Sequence, residues 1–231
     1  MWRKITLFLC IGALVVFGTG KSTAAPSIPT GVYYRASTTD KKIAITFDDG
    51  PHPVYTDKVL SVLEQEGVPA TFFTIGCNVE MYPTVVARIA EAGQEIGNHT
   101  YSHPQIKRIT NDFLAEEIER TDHLLCTLGV PRPTLFRPPQ GICPGDFMNV
   151  LKNTGKIAIL WNVDTRDWAH TPSDEIVESV LSSISGGDII LFHDSVGGES
   201  TTIPAIKKLI PLLKERGYQF VTVSELLTPT A

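Results

Sequence analysis

Short apolar runs alternate with longer amphipathic segments from residue 41 onward, and this alternation constrains the fold more than any other feature. Several of the apolar runs are hydrophobic at every position, which is typical of strands buried on both faces of a parallel sheet. Strict β/α alternation favours parallel strands covered by helices, arranged as an open sheet or a barrel. The predicted strands are 42–47, 70–75, 94–97, 135–137, 157–161, 188–192 and 219–223. The predicted helices are 56–66, 82–92, 110–128, 146–154, 173–184 and 202–216.

Ionisable residues stand at or after the carboxyl ends of most predicted strands, and they help to choose between the two arrangements. In strand order they are Asp48 and Asp49, His99, Arg137, Asp167 and His193. Side chains from so many strand ends can meet only where those ends share a rim, as they do at the carboxyl face of a barrel. The sequence therefore predicts an α/β fold: a single domain with an incomplete (β/α) barrel of about seven parallel strands.

The first 25 residues have the composition of an export signal. Arg3 and Lys4 precede an apolar run from residue 5 to residue 17, and small residues follow it, as in a secretory signal peptide. The run is shorter than the roughly 20 apolar residues of a membrane-spanning helix, but an uncleaved anchor is the alternative. We expect a signal peptide at 1–25, a lead-in segment at 26–40 and one catalytic domain at 41–227. The protein would then be a secreted or cell-wall-associated monomer that is not stably inserted in a membrane.

The charge balance argues against nucleic acid as a partner. The formal net charge of the whole chain is -5. Loss of residues 1–25 would remove Arg3, Lys4 and Lys21 and no acidic residue, which would leave a net charge of -8. A chain this acidic is poorly suited to neutralising phosphate groups.

Asp48 and Asp49, taken with His99 and His103, point to a metal centre. One carboxylate and two imidazoles are a suitable three-ligand set for a catalytic divalent metal that keeps one position open for water. The second carboxylate would then be available as a base. A spacing of four residues brings both rings to one side if the segment forms a turn of helix. The plainer interpretations are hydrogen-bonding loop histidines and an Asp-Gly-Pro turn, and the turn is compatible with a metal site.

Five motifs in order along the chain resemble those of the polysaccharide deacetylases. This is the family with the chitooligosaccharide deacetylase homology domain, also called carbohydrate esterase family 4. The resemblance extends across about residues 41–227. The motifs are Thr46-Phe47-Asp48-Asp49-Gly50, His99-x-x-x-His103, Arg137-Pro138-Pro139, Asp167-Trp168 and Leu191-Phe192-His193.

The resemblance implies a metal centre and a catalytic base. Asp49, His99 and His103 would bind the divalent metal, which is commonly zinc in this family, with another ion such as Co2+ as the alternative. Asp48 would take a proton from the attacking water. Arg137 would pair with Asp48 and hold its orientation.

The resemblance also implies a general acid and a substrate groove. His193 would protonate the leaving group, and Asp167 would orient it. Trp168 and Leu191 would line the apolar groove that receives the acetyl methyl group. Gln140 departs from the family pattern, because an aromatic residue usually stands there. Its backbone N–H would still help to bind the oxyanion, so the change puts substrate preference in doubt and leaves the chemistry intact.

Plainer interpretations exist for three of these residues. His193 could be a satisfied histidine in a turn. Arg137 and Asp167 could form a structural ion pair at the rim, because ion pairs are common outside active sites.

Together the residues and the family resemblance imply an exported, metal-dependent hydrolase that removes N-acetyl groups from N-acetylglucosamine residues of a cell-wall or extracellular polysaccharide. Peptidoglycan is the preferred substrate. A chitin or chitooligosaccharide deacetylase and an acetyl-xylan esterase are the alternatives, because the same groups could cleave an ester. A catalytically silent carbohydrate-binding domain is a further alternative, and the completeness of the site argues against it.

Overall fold

A curled sheet of parallel strands forms the centre of the protein, in a computed structural model that describes residues 28–195 and 200–228. The strands are β1 (Val32–Tyr33), β2 (Lys42–Asp48), β3 (Thr71–Thr74), β4 (Glu95–Asn98), β5 (Leu135–Phe136), β6 (Ile157–Ile159), β7 (Val163–Asp164), β8 (Ile189–His193) and β9 (Gln219–Phe220). Eight of them pair in the order β1-β6-β5-β4-β3-β2-β8-β7, and β9 pairs with the start of β2.

Helices connect the strands and cover the outside of the sheet. They are α1 (Tyr55–Glu66), α2 (Gly76–Met81), α3 (Pro83–Glu91), α4 (Asn111–Thr127), α5 (Phe147–Thr154), α6 (Ser173–Ser183), α7 (Thr202–Glu215) and α8 (Val223–Leu227). Short 3-10 turns lie at Ile106–Arg108, Pro139–Gly141 and Asp167–Ala169. Within the described ranges, no helix is both long enough and apolar enough to cross a membrane.

The link between β6 and β7 shows that the sheet is curled into a barrel. These two strands are six steps apart in the pairing order, which would be about 29 Å in a flat sheet at about 4.8 Å per strand. Three residues connect Ile159 to Val163, and so short a link spans about 14 Å at most. The two sides of the sheet must therefore approach each other. Among the described strands no ladder joins β7 to β1 or β6, so the barrel is incomplete.

Side chains along β2 point alternately to the core beneath the helices and to the interior of the barrel. Ile43, Ile45 and Phe47 pack with the apolar faces of the surrounding helices, whereas Ala44 belongs to the cluster inside the barrel. Because side chains alternate between the faces of a strand, Thr46 and Asp48 point to the same side as Ala44. The strand thus places a carboxylate at the carboxyl end of the barrel interior.

The incomplete barrel predicted from sequence is confirmed, and strands lie at all seven predicted positions. Two further strands, β1 and β7, have two residues each and lie outside the predicted strands. β1 falls within the 26–40 segment, where it pairs with β6.

The last predicted strand is shorter than expected. It ends at Phe220, because Thr222 and Glu225 form a capping box that begins α8. The predicted signal peptide lies outside the described residues.

Candidate active site

The end of β2 places Asp48 and Asp49 in different positions. Asp48 is the last residue of the strand and its side chain is buried. Asp49 leaves the strand with a left-handed backbone, φ 72°, a conformation that Asp tolerates better than most residues. This turn directs the second carboxylate toward the loop after β4.

Asp49, His99 and His103 converge at one point on the rim. Asp49 Oδ1 lies 3.4 Å from His99 Nε2 and 3.4 Å from His103 Nε2. Ligand atoms about 2.0–2.1 Å from a tetrahedral zinc ion lie about 3.3–3.4 Å from one another, so this donor set fits such an ion.

The expectation of a helical turn between the two histidines is wrong. Residues 99–103, here called the histidine loop, are irregular. Thr100 and His103 adopt left-handed backbones, with φ 66° and 52°. The loop nevertheless brings the two rings to a centroid distance of 5.0 Å. Left-handed residues are incompatible with a continuous right-handed helix. The rings are therefore brought together by the conformation of the loop and not by the spacing of a helix.

His99 is held in the tautomer that a metal ligand requires. Its Nδ1 lies 2.6 Å from the carbonyl oxygen of Arg137. A carbonyl only accepts, so Nδ1 carries a proton, and Nε2 is the ring nitrogen that faces Asp49 and can bind a metal once it is deprotonated. Burial disfavours the charged ring, but the nearby Asp48 and Asp49 carboxylates outweigh it and raise the pKa of His99. Burial is the largest single effect and disfavours charge on Asp49, but the bond to His99 and the nearby imidazoles together outweigh it and lower the pKa of Asp49 to about 2.

Asp48 and Arg137 form a buried ion pair inside the barrel. Arg137 Nη1 donates to Asp48 Oδ1 at 2.7 Å and to Thr46 Oγ1 at 2.8 Å. The rest of the guanidinium donates to the carbonyls of Ile159 and Leu160. The other oxygen of Asp48 lies 3.9 Å from His99 Nε2. One carboxylate oxygen is therefore fixed by the arginine, and the other faces the metal-ligand set.

His193 and Asp167 form a second pair across the rim. His193 Nδ1 lies 2.8 Å from Asp167 Oδ1, and the backbone N–H of His193 donates to Oδ2 at 2.8 Å. Thr202 Oγ1 and the N–H of Trp168 complete the partners of this buried carboxylate. Burial is the largest single effect and lowers the pKa of His193, but the bond to Asp167 and the charges of the nearby carboxylates together outweigh it and raise that pKa to about 9. Arg137 binds Asp48 and Asp167 binds His193, so the suggested ion pair between Arg137 and Asp167 does not form among the described contacts.

The three residues suggested to contact substrate differ in exposure. Trp168 is 52% exposed and Leu191 is 2% exposed. Gln140 is exposed and has a left-handed backbone, φ 58°. Its side chain accepts from the N–H of Ile106 and donates to the carbonyl of Pro104, which ties it to the segment after the histidine loop. Within the described part of the chain, its own backbone N–H has no acceptor.

Gly50 in the first motif is required by its contact with Asp194. A Cβ at Gly50 would lie 2.3 Å from Asp194 Oδ2, so no larger residue fits there without movement. Asp194 is buried, accepts from Thr56 Oγ1 at 2.5 Å and leaves Oδ1 without a partner among the described residues. Burial raises the pKa of Asp194 to about 7.

Sequence reasoning missed several residues that support the site. Thr46 could have been found, because it shares its face of β2 with Asp48. Asn78, Glu117 and Asp122 left no such signal, because their partners lie on other elements. Asn78 donates to the carbonyl of Asp49 at 2.8 Å. Asp122 accepts from the side chain of Asn98, the residue directly before His99, at 2.8 Å. Asp122 also pairs with buried Lys156 at 2.5 Å.

A family model described as polysaccharide deacetylase matches residues 35–159. That range is more than half of the chain and holds Asp48, Asp49, both histidines of the loop, and Arg137. The chain belongs to the polysaccharide deacetylase family. The family prediction is confirmed, and this polysaccharide deacetylase is an enzyme of the predicted class.

Three similar proteins cover nearly the whole domain. A peptidoglycan-N-acetylglucosamine deacetylase of Bacillus cereus is 41% identical over 202 residues, which is 86% of this chain and 94% of that protein. A chitooligosaccharide deacetylase of Sinorhizobium fredii is 34% identical over 196 residues, which is 80% of this chain and 91% of that protein. A solved peptidoglycan N-acetylglucosamine deacetylase, in complex with 4-naphthalen-1-yl-N-oxidanyl-benzamide, has a TM-score of 0.83 at 35% identity and covers 87% and 94% of the two chains.

Proposed function

We propose that this polysaccharide deacetylase is exported and removes the N-acetyl group from N-acetylglucosamine residues of peptidoglycan in a metal-dependent reaction. The observation that carries the proposal is the meeting of three units at one rim: the set of Asp49 and two histidines, the Asp48–Arg137 pair and the His193–Asp167 pair. Peptidoglycan is the substrate named for the Bacillus cereus relative and for the solved structure.

Asp49, His99 and His103 would hold the metal, with zinc as the first choice and Co2+ as the alternative. Their fit rests on the 3.4 Å spacing of the donor atoms and on the Nδ1–H of His99 being bound to a carbonyl. When bound, such an ion lowers the pKa of a coordinated water and polarises the substrate carbonyl.

Asp48 is suited to act as the general base. Arg137 holds Oδ1 at 2.7 Å, and Oδ2 faces the ligand set, where the attacking water would lie. Asp48 takes a proton from the water as the water oxygen bonds to the amide carbon. The backbone N–H of Gln140, which has no acceptor among the described residues, is suited to donate to the resulting oxyanion.

His193 is suited to act as the general acid. With its pKa raised to about 9, the ring is protonated at neutral pH and Nδ1 stays on Asp167. Nε2 is then free to give its proton to the sugar nitrogen as the carbon–nitrogen bond breaks. The products are acetate and a glucosamine residue with a free amine.

Deacetylation of chitooligosaccharides is the second candidate, because the Sinorhizobium fredii relative carries that name. Gln140 should affect the preference between peptidoglycan and chitooligosaccharides. It stands where the family usually has an aromatic residue in the groove, and its side chain binds the segment after the histidine loop.

The test is acetate release by the purified protein after metal removal and after zinc is restored. The panel contains peptidoglycan, chitooligosaccharides and acetylated xylan. We expect zinc-dependent acetate release and new free amines on peptidoglycan. Release from chitooligosaccharides alone would favour the second candidate, and release from xylan alone would make the protein an esterase. No release from any of the three, with zinc bound, would contradict the proposal.

A further inference from the structure

Glu117 is a buried carboxylate on α4 whose hydrogen bonds all go to the histidine loop. Its Oε2 accepts from the backbone N–H of Tyr101 at 3.0 Å and from that of Ser102 at 2.7 Å. Ser102 Oγ lies 3.0 Å from Oε2 and 3.1 Å from Oε1. Glu117 is 7% exposed, and no basic side chain in the described ranges pairs with it.

These bonds connect the N–H groups of Tyr101 and Ser102 to helix α4. The other three N–H groups of the loop bond elsewhere: that of His99 donates to the carbonyl of Thr74 at the end of β3, that of Thr100 to Asn98 Oδ1 and that of His103 to Thr100 Oγ1. Those of Tyr101 and Ser102 meet on a single carboxylate oxygen of Glu117. Consecutive N–H groups that converge in this way favour a negative charge.

The bonds have a direct consequence for the two imidazoles. Thr100 and His103 hold left-handed backbones on either side of Tyr101 and Ser102, and such conformations persist in non-glycine residues only where the surroundings impose them. Because Glu117 fixes the two residues between them, it fixes the direction in which the chain carries His103 away from His99.

We infer that Glu117 is a positioning residue of the proposed metal centre, holding His99 and His103 at the spacing that binding requires. The inference rests on the proposed metal site and adds a residue from outside the motifs. Glu117 touches neither histidine ring and acts through the backbone of the loop. Removal of partners that orient metal ligands typically costs about 10- to 100-fold in affinity.

The test compares zinc affinity in Glu117→Ala, Glu117→Gln and the control Glu116→Gln. Glu116 neighbours Glu117 on α4 but is exposed, and its side chain forms no hydrogen bond or ion pair with any described residue. Zinc dissociation constants are measured by competition with a chelator, and the stability of each metal-free protein is measured by urea unfolding. The visible absorption of bound Co2+ gives an independent report on ligand geometry.

We expect Glu117→Ala to weaken zinc binding about 10- to 100-fold and to change the Co2+ spectrum. Glu117→Gln keeps one acceptor oxygen and should lie between Glu117→Ala and the unsubstituted protein. The control should match the unsubstituted protein. If Glu117→Ala does not fold, the isosteric Glu117→Gln variant decides.

Unchanged zinc affinity in the foldable Glu117 variants, with lower stability of the metal-free protein, would overturn the inference and leave Glu117 with a structural role. A failure of the unsubstituted protein to bind zinc or Co2+ would overturn the metal centre itself. The two failures are therefore distinguishable.

Discussion

Asp48 presents its two oxygens to different surroundings. Oδ1 accepts from the buried guanidinium of Arg137, while Oδ2 points to the ligand set of the metal site. The oxygen that faces the metal site is therefore available for proton transfer, and the other sets its direction. Asp49, one residue later, is turned away by its left-handed backbone and takes part in the ligand set.

Asp48→Asn separates the role of base from that of ligand. The amide oxygen can still accept from Arg137, but the side chain no longer takes a proton. We expect zinc content to be retained and kcat to fall by about 10²- to 10⁴-fold. The comparison variant is Asp49→Asn, which should lose zinc and activity together. An active Asp48→Asn enzyme would remove Asp48 as the base.

The Asp167–His193 pair sets the pH at which the proposed acid loses its proton. Asp167→Asn removes the negative charge and weakens the hydrogen bond that help to raise the pKa of His193, so that pKa should fall below about 9. Because the acid must be protonated, the alkaline limb of kcat/KM should move to lower pH. A pH–rate profile of both proteins tests this. An alkaline limb at the same pH in both would assign that limb to another group.

The raised pKa of His193 also makes the free energy of unfolding depend on pH. The pKa of His193 is higher in the folded protein than its ordinary value of 6.5. The pair therefore stabilises the fold fully below about pH 6.5 and loses that contribution as pH rises through about 9.

At the scale of elements, α2 joins the two loops that carry the proposed metal ligands. The side chain of Asn78 donates to the carbonyl of Asp49. The N–H groups of Gly76 and Cys77 donate to the carbonyls of Thr100 and Tyr101, each at 2.9 Å. Helix α2 therefore fixes the distance between the turn after β2 and the histidine loop.

Gly76→Ala should push these two loops apart. A Cβ at Gly76 would lie 2.5 Å from Thr121 Oγ1 and 3.0 Å from Tyr101 Cα, and the second contact is with backbone. We expect a stability loss of about 1–3 kcal/mol, measured by urea unfolding, together with weaker zinc binding. The matched control is Gly145→Ala, since a Cβ there meets nothing within 4 Å. Equal stability and zinc affinity in the two variants would show that the helix tolerates the methyl group.

At the scale of the whole molecule, the rim gathers groups from strands that are far apart in sequence. The proposed ligands come from the loops after β2 and β4, the arginine follows β5, and the acid ends β8. A metal bound there links segments that are separate in the unfolded chain. Metal binding is therefore coupled to folding.

Zinc should stabilise the folded protein through this coupling. At about 100 times its Kd, a ligand specific for the folded state adds about 2.7 kcal/mol. The increment should shrink as the solution becomes more acidic, because protons compete for His99, whose raised pKa reflects Asp48 and Asp49 outweighing burial. Thermal unfolding with zinc and with a chelator tests this, and His103→Ala should lose most of the increment. An unchanged Tm with zinc and with chelator would contradict a metal site in the folded protein.

The parallel β/α architecture and the identity of the central residues were predictable from the sequence alone. Short runs that are apolar at every position predict buried strands, because a strand covered on both faces must be apolar throughout. Asp48, Asp49, His99, Arg137 and His193 were recognisable because reactive residue types stood at the ends of those strands. Their roles stay predictions until the variants are measured.

Tertiary structure alone decided how these residues are held. The histidine spacing suggested a helical turn, but the two rings meet through a loop that Glu117 fixes from α4. Arg137 pairs with Asp48, 89 residues away, as the family resemblance implied, and the alternative pair with Asp167 does not form among the described contacts. Sequence periodicity reports the face of one element, whereas a hydrogen bond between elements depends on how those elements pack. That is why the sequence predicted the barrel and its reactive groups, whereas the conformation of the histidine loop and its bonds to Glu117 emerged only in the folded chain.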